Sequence, residues 1–296
     1  MPSRRAGRPA TPRRIAFARA YVKVEAGSRE PWGVRVTGGR HAALEGADNV
    51  RDLGGYRTAD GLVVSAWTLL RGDGLHRLTD VDVESLSGLR TIIDFRTPGE
   101  ILNLGQDRLP RGAVPVSFPI GGGDLSEVFD LVASGDARRQ RRLLGDGRAS
   151  EFMAGIYRSY VSDDRQREAF AAAISLVCEG PRPVLAHCTS GKDRTGWMAA
   201  LVLLAAGVPM GDVMADYLAS NDYLRVPYQR MRTDLVKAGL LLEPELLRPV
   251  MEVSPGYIYA AFHEAELRYG SFESFLRRGA GIDAIRLRRA LLTRPG

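Results

Sequence analysis

The sequence predicts an α/β protein: a central mixed, mostly parallel sheet flanked by helices, with a helical C-terminal region. Short apolar runs at 91–95, 114–120 and 184–186 have the length and flanking of buried strands. Longer apolar-periodic stretches separate them, so strand alternates with helix. Beyond Gly196 the pattern is helical to the end of the chain. A hydrophobic fraction of 45% is ordinary for a globular core.

The first third is β-rich. From Val50 the chain enters Gly54-Gly55, a turn signal. Asp60-Gly61 makes a second turn before Leu62-Val63-Val64, and Thr68-Leu69-Leu70 is another short strand. Thr79 is placed to cap a helix that starts at Asp80 and carries Val81, Val83 and Leu86. Two buried strands follow at 91–95 and 114–120, and Gly121-Gly122-Gly123 is a flexible entry to helices at 125–132, 138–144, 151–160 and 165–178. After the strand at 184–186, Trp197 to Ala206 reads as a buried helix stopped by Gly207. Helices are then expected at 212–219, 227–238, 244–251, 257–269, 271–278 and 282–292, with Pro227 at a first helical position and Gly239 as a stop.

Residues 1–30 form a basic arm, with Arg4, Arg5, Arg8, Arg13 and Arg14 and no acidic residue before Glu25, a composition that favours disorder. A twin-arginine export signal would need an apolar stretch, and Ile15 to Val24 is broken by Arg19 and Lys23. Residues 31–296 read as a single domain, because no Gly-, Ser- or Pro-rich linker interrupts them. No run approaches the apolar length of a membrane span, so the expected location is cytoplasmic, or secreted without a recognisable signal peptide. The net charge of +6 suits anionic partners. Part of it sits in the arm and in Arg277, Arg278, Arg286, Arg288 and Arg289, where a solvated helix face is the simpler reading. Two cysteines, Cys178 and Cys188, are too few for a disulfide scaffold or a zinc site, and Cys178 reads as a small buried hydrophobe. His41, His76, His187 and His263 lack metal-ligand spacing, so neither metal nor cofactor is expected.

Chemistry concentrates in His187-Cys188-Thr189-Ser190-Gly191-Lys192-Asp193-Arg194-Thr195-Gly196. A cysteine at a strand end, followed by a tight loop and a helix N-terminus, faces several backbone N–H groups and the positive end of a helix dipole. That field favours a thiolate at Cys188 and a phosphate beside it. Arg194, separated from Cys188 by five intervening loop residues, can return with two parallel donors, a geometry lysine cannot copy. Thr189, Ser190, Gly191, Lys192 and Thr195 complete the phosphate cradle. Gly191 lets it close, and Thr195 brings a hydroxyl towards the sulfur. Lys192 either recruits a further phosphate or pairs with Asp94 or another carboxylate. His187 fixes the loop. A nucleotide-binding P-loop is excluded, because Asp193 stands where Ser or Thr would follow the lysine.

The Cys-x5-Arg pattern, with His before it and Thr-Gly after it, resembles the catalytic loop of cysteine-dependent protein tyrosine phosphatases. It is closer to a bacterial branch with Lys-Asp before the arginine, represented by secreted mycobacterial members. That branch also carries segments like Asn49-Val50-Arg51-Asp52-Leu53-Gly54-Gly55-Tyr56 and Ile92-Ile93-Asp94-Phe95-Arg96 followed by Glu100. The resemblance implies phosphate monoester hydrolysis on a phosphorylated protein or a phosphoinositide, releasing inorganic phosphate, through a cysteinyl-phosphate on Cys188. Protein tyrosine phosphatase is the first reading; a phosphoinositide or dual-specificity phosphatase and an inactive phosphate-binding module are the alternatives. The Trp-Pro-Asp acid loop of many relatives is absent here. By similarity Asp193 is the first choice of general acid and Asp94 the second. Asp94 and Arg96 lean towards the site, whereas Arg51 and Asp52 read as a pair holding the Gly54-Gly55 turn. The resemblance also places a helical lid at 223–242.

Overall fold

The computed structural model describes residues 36–37, 41–121 and 125–294. The basic arm and Gly122-Gly123 lie outside them. Its strands are β1 (Val36–Thr37), β2 (His41–Ala42), β3 (Arg51–Asp52), β4 (Val63–Val64), β5 (Leu69–Gly72), β6 (Thr91–Asp94), β7 (Val114–Ser117), β8 (Val184–His187) and β9 (Leu292–Thr293). The main sheet runs β1-β2-β3-β5-β8-β6-β7, and β4 pairs with β9 in a separate ribbon. The four longest strands, β5, β8, β6 and β7, are parallel, while β1, β2 and β3 extend the sheet antiparallel. The α/β class with a mixed sheet is as the sequence predicts.

The helices are α1 (Asp80–Ser85), α2 (Pro98–Leu104), α3 (Leu125–Ala133), α4 (Ala137–Leu144), α5 (Arg148–Ser162), α6 (Asp164–Glu179), α7 (Arg194–Ala206), α8 (Met210–Lys237), α9 (Arg248–Met251), α10 (Pro255–Tyr269), α11 (Phe272–Ser274) and α12 (Ala284–Leu291). Alternating side chains of the parallel strands feed two layers, as the period of two requires. Leu69, Ile93, Val184 and Ala186 join the large core with α5, α6, α7 and α10. Leu70, Ile92 and Leu185, in register across β5, β6 and β8, join the smaller core on the other face with Leu75, Leu78, Leu86 and Leu89. Helix α7 is buried almost all round, which a run without a polar face requires, and ends at Gly207 in the left-handed conformation.

Several expectations are corrected. Thr79 does cap α1, in a capping box with Asp82, but Val81 is 65% exposed and faces solvent. The strand expected at 114–120 is shorter and mostly exposed, because β7 is the sheet's edge; only Ile120 is buried. The helices expected at 212–219 and 227–238 are one helix with Pro227 inside it. Val213, Tyr217, Ser220 and Leu224 form a continuous buried stripe through the apparent gap, so packing holds the helix together despite the missing N–H. Cys178 is half-buried. Arg51 and Asp52 do not pair. Asp52 supports the Gly54-Gly55 turn without Arg51, accepting from the Gly54 and Trp67 N–H groups at 2.9 and 2.7 Å, and the Gly55 N–H donates to the Val64 carbonyl at 2.8 Å.

Candidate active site

Strand β8 lies between β5 and β6, and the register brings Gly72, His187 and Asp94 side by side at their C-terminal ends. Ligand sites of open α/β sheets gather at such ends. Cys188 follows immediately, and α7 begins at Arg194. The Cys188 side chain is 2% exposed, and its Sγ accepts the Gly191 N–H at 3.2 Å. Gly191 has φ +68°, and a Cβ there would meet the Gly72 carbonyl oxygen at 2.3 Å, so glycine is required by both backbone conformation and contact.

The carbonyls of the loop point outward. Gly74 N donates to Thr189 O at 3.1 Å, Asn49 Nδ2 to Ser190 O at 2.8 Å, and Arg71 Nη2 to Gly191 O at 2.6 Å. Asp193 occupies the N-cap position of α7 yet makes no capping hydrogen bond. Its carboxylate instead meets Lys192 Nζ at 2.5 Å and the Tyr157 hydroxyl at 3.0 Å, and Tyr157 accepts from the Tyr217 hydroxyl at 2.8 Å. Burial, reinforced by the Asp193 charge, holds both phenols well above their ordinary range, so each remains a neutral donor. Of the partners considered for Lys192, the structure selects neighbouring Asp193 rather than Asp94.

The Arg194 guanidinium forks onto Glu100, with Nη1 at 2.7 Å and Nη2 at 2.5 Å from its carboxylate oxygens. Nη1 also reaches the Phe95 and Ile120 carbonyls. Glu100 additionally accepts from Thr189 Oγ1 at 2.5 Å and from the Thr97 N–H, as the third residue of a capping box at the start of α2. Burial pushes the Glu100 carboxyl up, but Arg194, Thr189 and Thr97 together outweigh it and hold it at about 2. Thr195 Oγ1 is buried with no hydrogen-bond partner among the described residues.

Beneath the loop, His187 is fully buried, with Nδ1 3.2 Å from its own chain's Cys188 carbonyl and Nε2 3.1 Å from Asp107. Asp94, Asp107 and His187 converge as three potential metal ligands. The Arg96 guanidinium sits between the two carboxylates, 2.9 Å from Asp94 and 2.6 Å from Asp107, and supplies the positive charge there. Asp94 and Arg96 are thus brought to the strand end as a pair behind His187.

Asp107, Arg71, Asp216, Tyr157 and Tyr228 were not singled out from the sequence. The last lies on the second half of α8, inside the expected lid, and its hydroxyl shares a hydrogen bond with Ser190. Glu100 carried a local signal for its position, Thr97-Pro98-Gly99-Glu100, a helix start with a capping box and proline in the first turn. The others are contacts between distant segments.

The Cys-x5-Arg segment thus sets a cysteine between a strand end, a loop whose carbonyls turn outward and a helix N-terminus. The tyrosine phosphatase family model matches residues 42–293, and the chain belongs to that family: it is a protein-tyrosine phosphatase. It is 31% identical over 265 residues to the triple specificity protein phosphatase PtpB of Mycobacterium tuberculosis, covering 81% of this chain and 93% of that one. It is 32% identical over 260 residues to a Cupriavidus necator protein whose name provisionally assigns it as a tyrosine-protein phosphatase, covering 84% and 88%. No helix among the described residues is long and apolar enough to cross a membrane.

Proposed function

We propose that this phosphatase hydrolyses phosphotyrosine in proteins through a cysteinyl-phosphate intermediate. The observation that carries the reading is the Gly191 N–H facing Cys188 Sγ at the mouth of α7. An inward amide and a helix N-terminus left without a side-chain cap both favour negative charge at that point. Cys188 attacks phosphorus, the ester oxygen departs with the bonding pair and a proton, and water then cleaves the S–P bond to release phosphate. Arg194 grips two phosphate oxygens with its Nε–Nη2 edge, since Glu100 takes the adjacent Nη1–Nη2 edge and leaves the second Nη2 hydrogen available. Thr195 offers its buried hydroxyl to the sulfur. Asp193 delivers the proton, positioned by Tyr157 and Lys192. Asp94, engaged by Arg96, supports the loop through His187. Tyr228 and the second half of α8 form the lid.

We take phosphotyrosine as the substrate because the buried Lys192 ammonium is engaged by the Asp193 carboxylate, which competes with any second phosphate for it. The broad and phosphoinositide readings are outcomes of the same test. In a p-nitrophenyl phosphate assay, Cys188→Ser abolishes turnover, and Asp193→Asn loses about 10²-fold or more with phenyl phosphate but little with the better leaving group. Phosphotyrosine peptide is turned over faster than phosphoserine peptide or a phosphoinositide. Full activity in Cys188→Ser, or wild-type protein that binds phosphopeptide without turnover, overturns the enzyme mechanism.

A further inference from the structure

Asp216 sits on α8 and is 5% exposed. Its carboxylate accepts from two buried arginines on neighbouring strands, Arg51 Nε at 2.9 Å and Arg71 Nη1 at 2.6 Å. Each arginine continues to the catalytic loop. Arg51 Nη1 donates to Asn49 Oδ1 at 2.6 Å, which fixes the Asn49 amide so that its Nδ2 holds Ser190 O at 2.8 Å. Arg71 Nη2 holds Gly191 O directly at 2.6 Å.

A trans peptide is planar and its N–H points opposite to its C=O. The Ser190–Gly191 peptide illustrates the consequence: its carbonyl is held from outside by Asn49, and its N–H faces Cys188 Sγ. The same rule applied to Gly191–Lys192, whose carbonyl is held from outside by Arg71, turns the Lys192 N–H inward. We infer that Asp216 is a positioning residue for phosphate hydrolysis: through Arg51 and Arg71 it orients two consecutive loop peptides so that the Gly191 and Lys192 N–H groups point into the phosphate cradle.

Two further features agree. A Cβ on Gly196 would stand 3.0 Å from Arg71 Nη2 and 3.1 Å from the Tyr217 ring, so the glycine that closes the loop motif makes room for this guanidinium. Two guanidiniums share one carboxylate, so one positive charge remains buried under the loop, an arrangement that is costly unless an anion lies close by. The anion is the one the loop holds.

The inference rests on the proposed phosphate cradle and is tested by binding rather than turnover. Asp216→Asn, Arg71→Lys and Asn49→Ala are made in the full chain carrying Cys178→Ser. Inorganic phosphate affinity, the pH midpoint of Cys188 alkylation by iodoacetamide and the melting temperature are then measured. Asp216→Asn and Arg71→Lys weaken phosphate binding about tenfold or more, in the range of a lost oxyanion donor, and move the alkylation midpoint upward. Asn49→Ala leaves the three buried charges in place, so it reads the Ser190 arm if the charged variants do not fold, and it shifts both quantities the same way. Folded variants that bind phosphate and alkylate like the parent overturn the inference. A parent protein that binds no phosphate overturns the cradle itself.

Discussion

Glu100 sets the direction of the Arg194 guanidinium, and its ionisation makes that contact dependent on pH. Its carboxyl is held at about 2 in the folded chain, against about 4.3 for an unperturbed glutamate. A carboxyl depressed in this way contributes its full stabilisation above the unfolded value and loses it as pH falls through the folded one. Denaturant titrations of Glu100→Gln should therefore show a loss of stability at about pH 7 that narrows towards about pH 3, as the wild-type contribution fades. In the same variant kcat/KM falls about tenfold or more, because the guanidinium loses one partner of its fork. Equal stability gaps at the two pH values would contradict this role.

Helix α8 serves two ends of the site. Its first half carries Asp216, bonded to the two arginines that reach the loop, and its second half carries Tyr228, which meets Ser190. Between them Tyr223 stacks on His41 at 4.3 Å, with the Arg51 guanidinium 5.2 Å from its ring. Met231 and Leu235 pack against the large core beyond. Burial raises the Tyr228 phenol, although its bond to Ser190 opposes the shift, so it stays a neutral hydroxyl. Tyr228→Ala should speed Cys188 alkylation by at least about tenfold and, because the Tyr228 ring also packs against the large core, lower the melting temperature modestly. An unchanged alkylation rate would show that the second half of α8 does not shield the cysteine. Helix α7 makes the complementary contribution: it is anchored by apolar contacts on nearly every face, so its N-terminus is held still against the loop.

Packing on both faces of the sheet holds β5, β8 and β6 together, and with them the strand ends that present Gly72, His187 and Asp94. Leu185 is fully buried in the smaller core between Leu70 and Ile92. Its replacement by alanine should lower unfolding free energy by about 2–5 kcal/mol, measured by denaturant titration. A loss below about 1 kcal/mol would mean the smaller core relaxes to fill the space. The strand, loop and α7 were legible from the sequence because every determinant is local: an apolar run, a glycine needed for φ +68°, and a long apolar helix closed by Gly207. Cys188, Gly191 and Arg194 followed from that same short stretch. The break expected before Pro227 came from placing the proline at a first helical position; the buried stripe of Val213, Tyr217, Ser220 and Leu224 instead carries one helix through it. Likewise the expected Arg51–Asp52 pair gave way to an Arg51–Asp216 bond across 165 residues. The sequence by itself determined which residues form the loop and that its field favours an anion. Only the tertiary structure decided which way the loop's peptides face, because their carbonyl partners come from other strands and helices. Hydrogen bonds between distant segments depend on sheet register and helix packing, which local residue order does not encode.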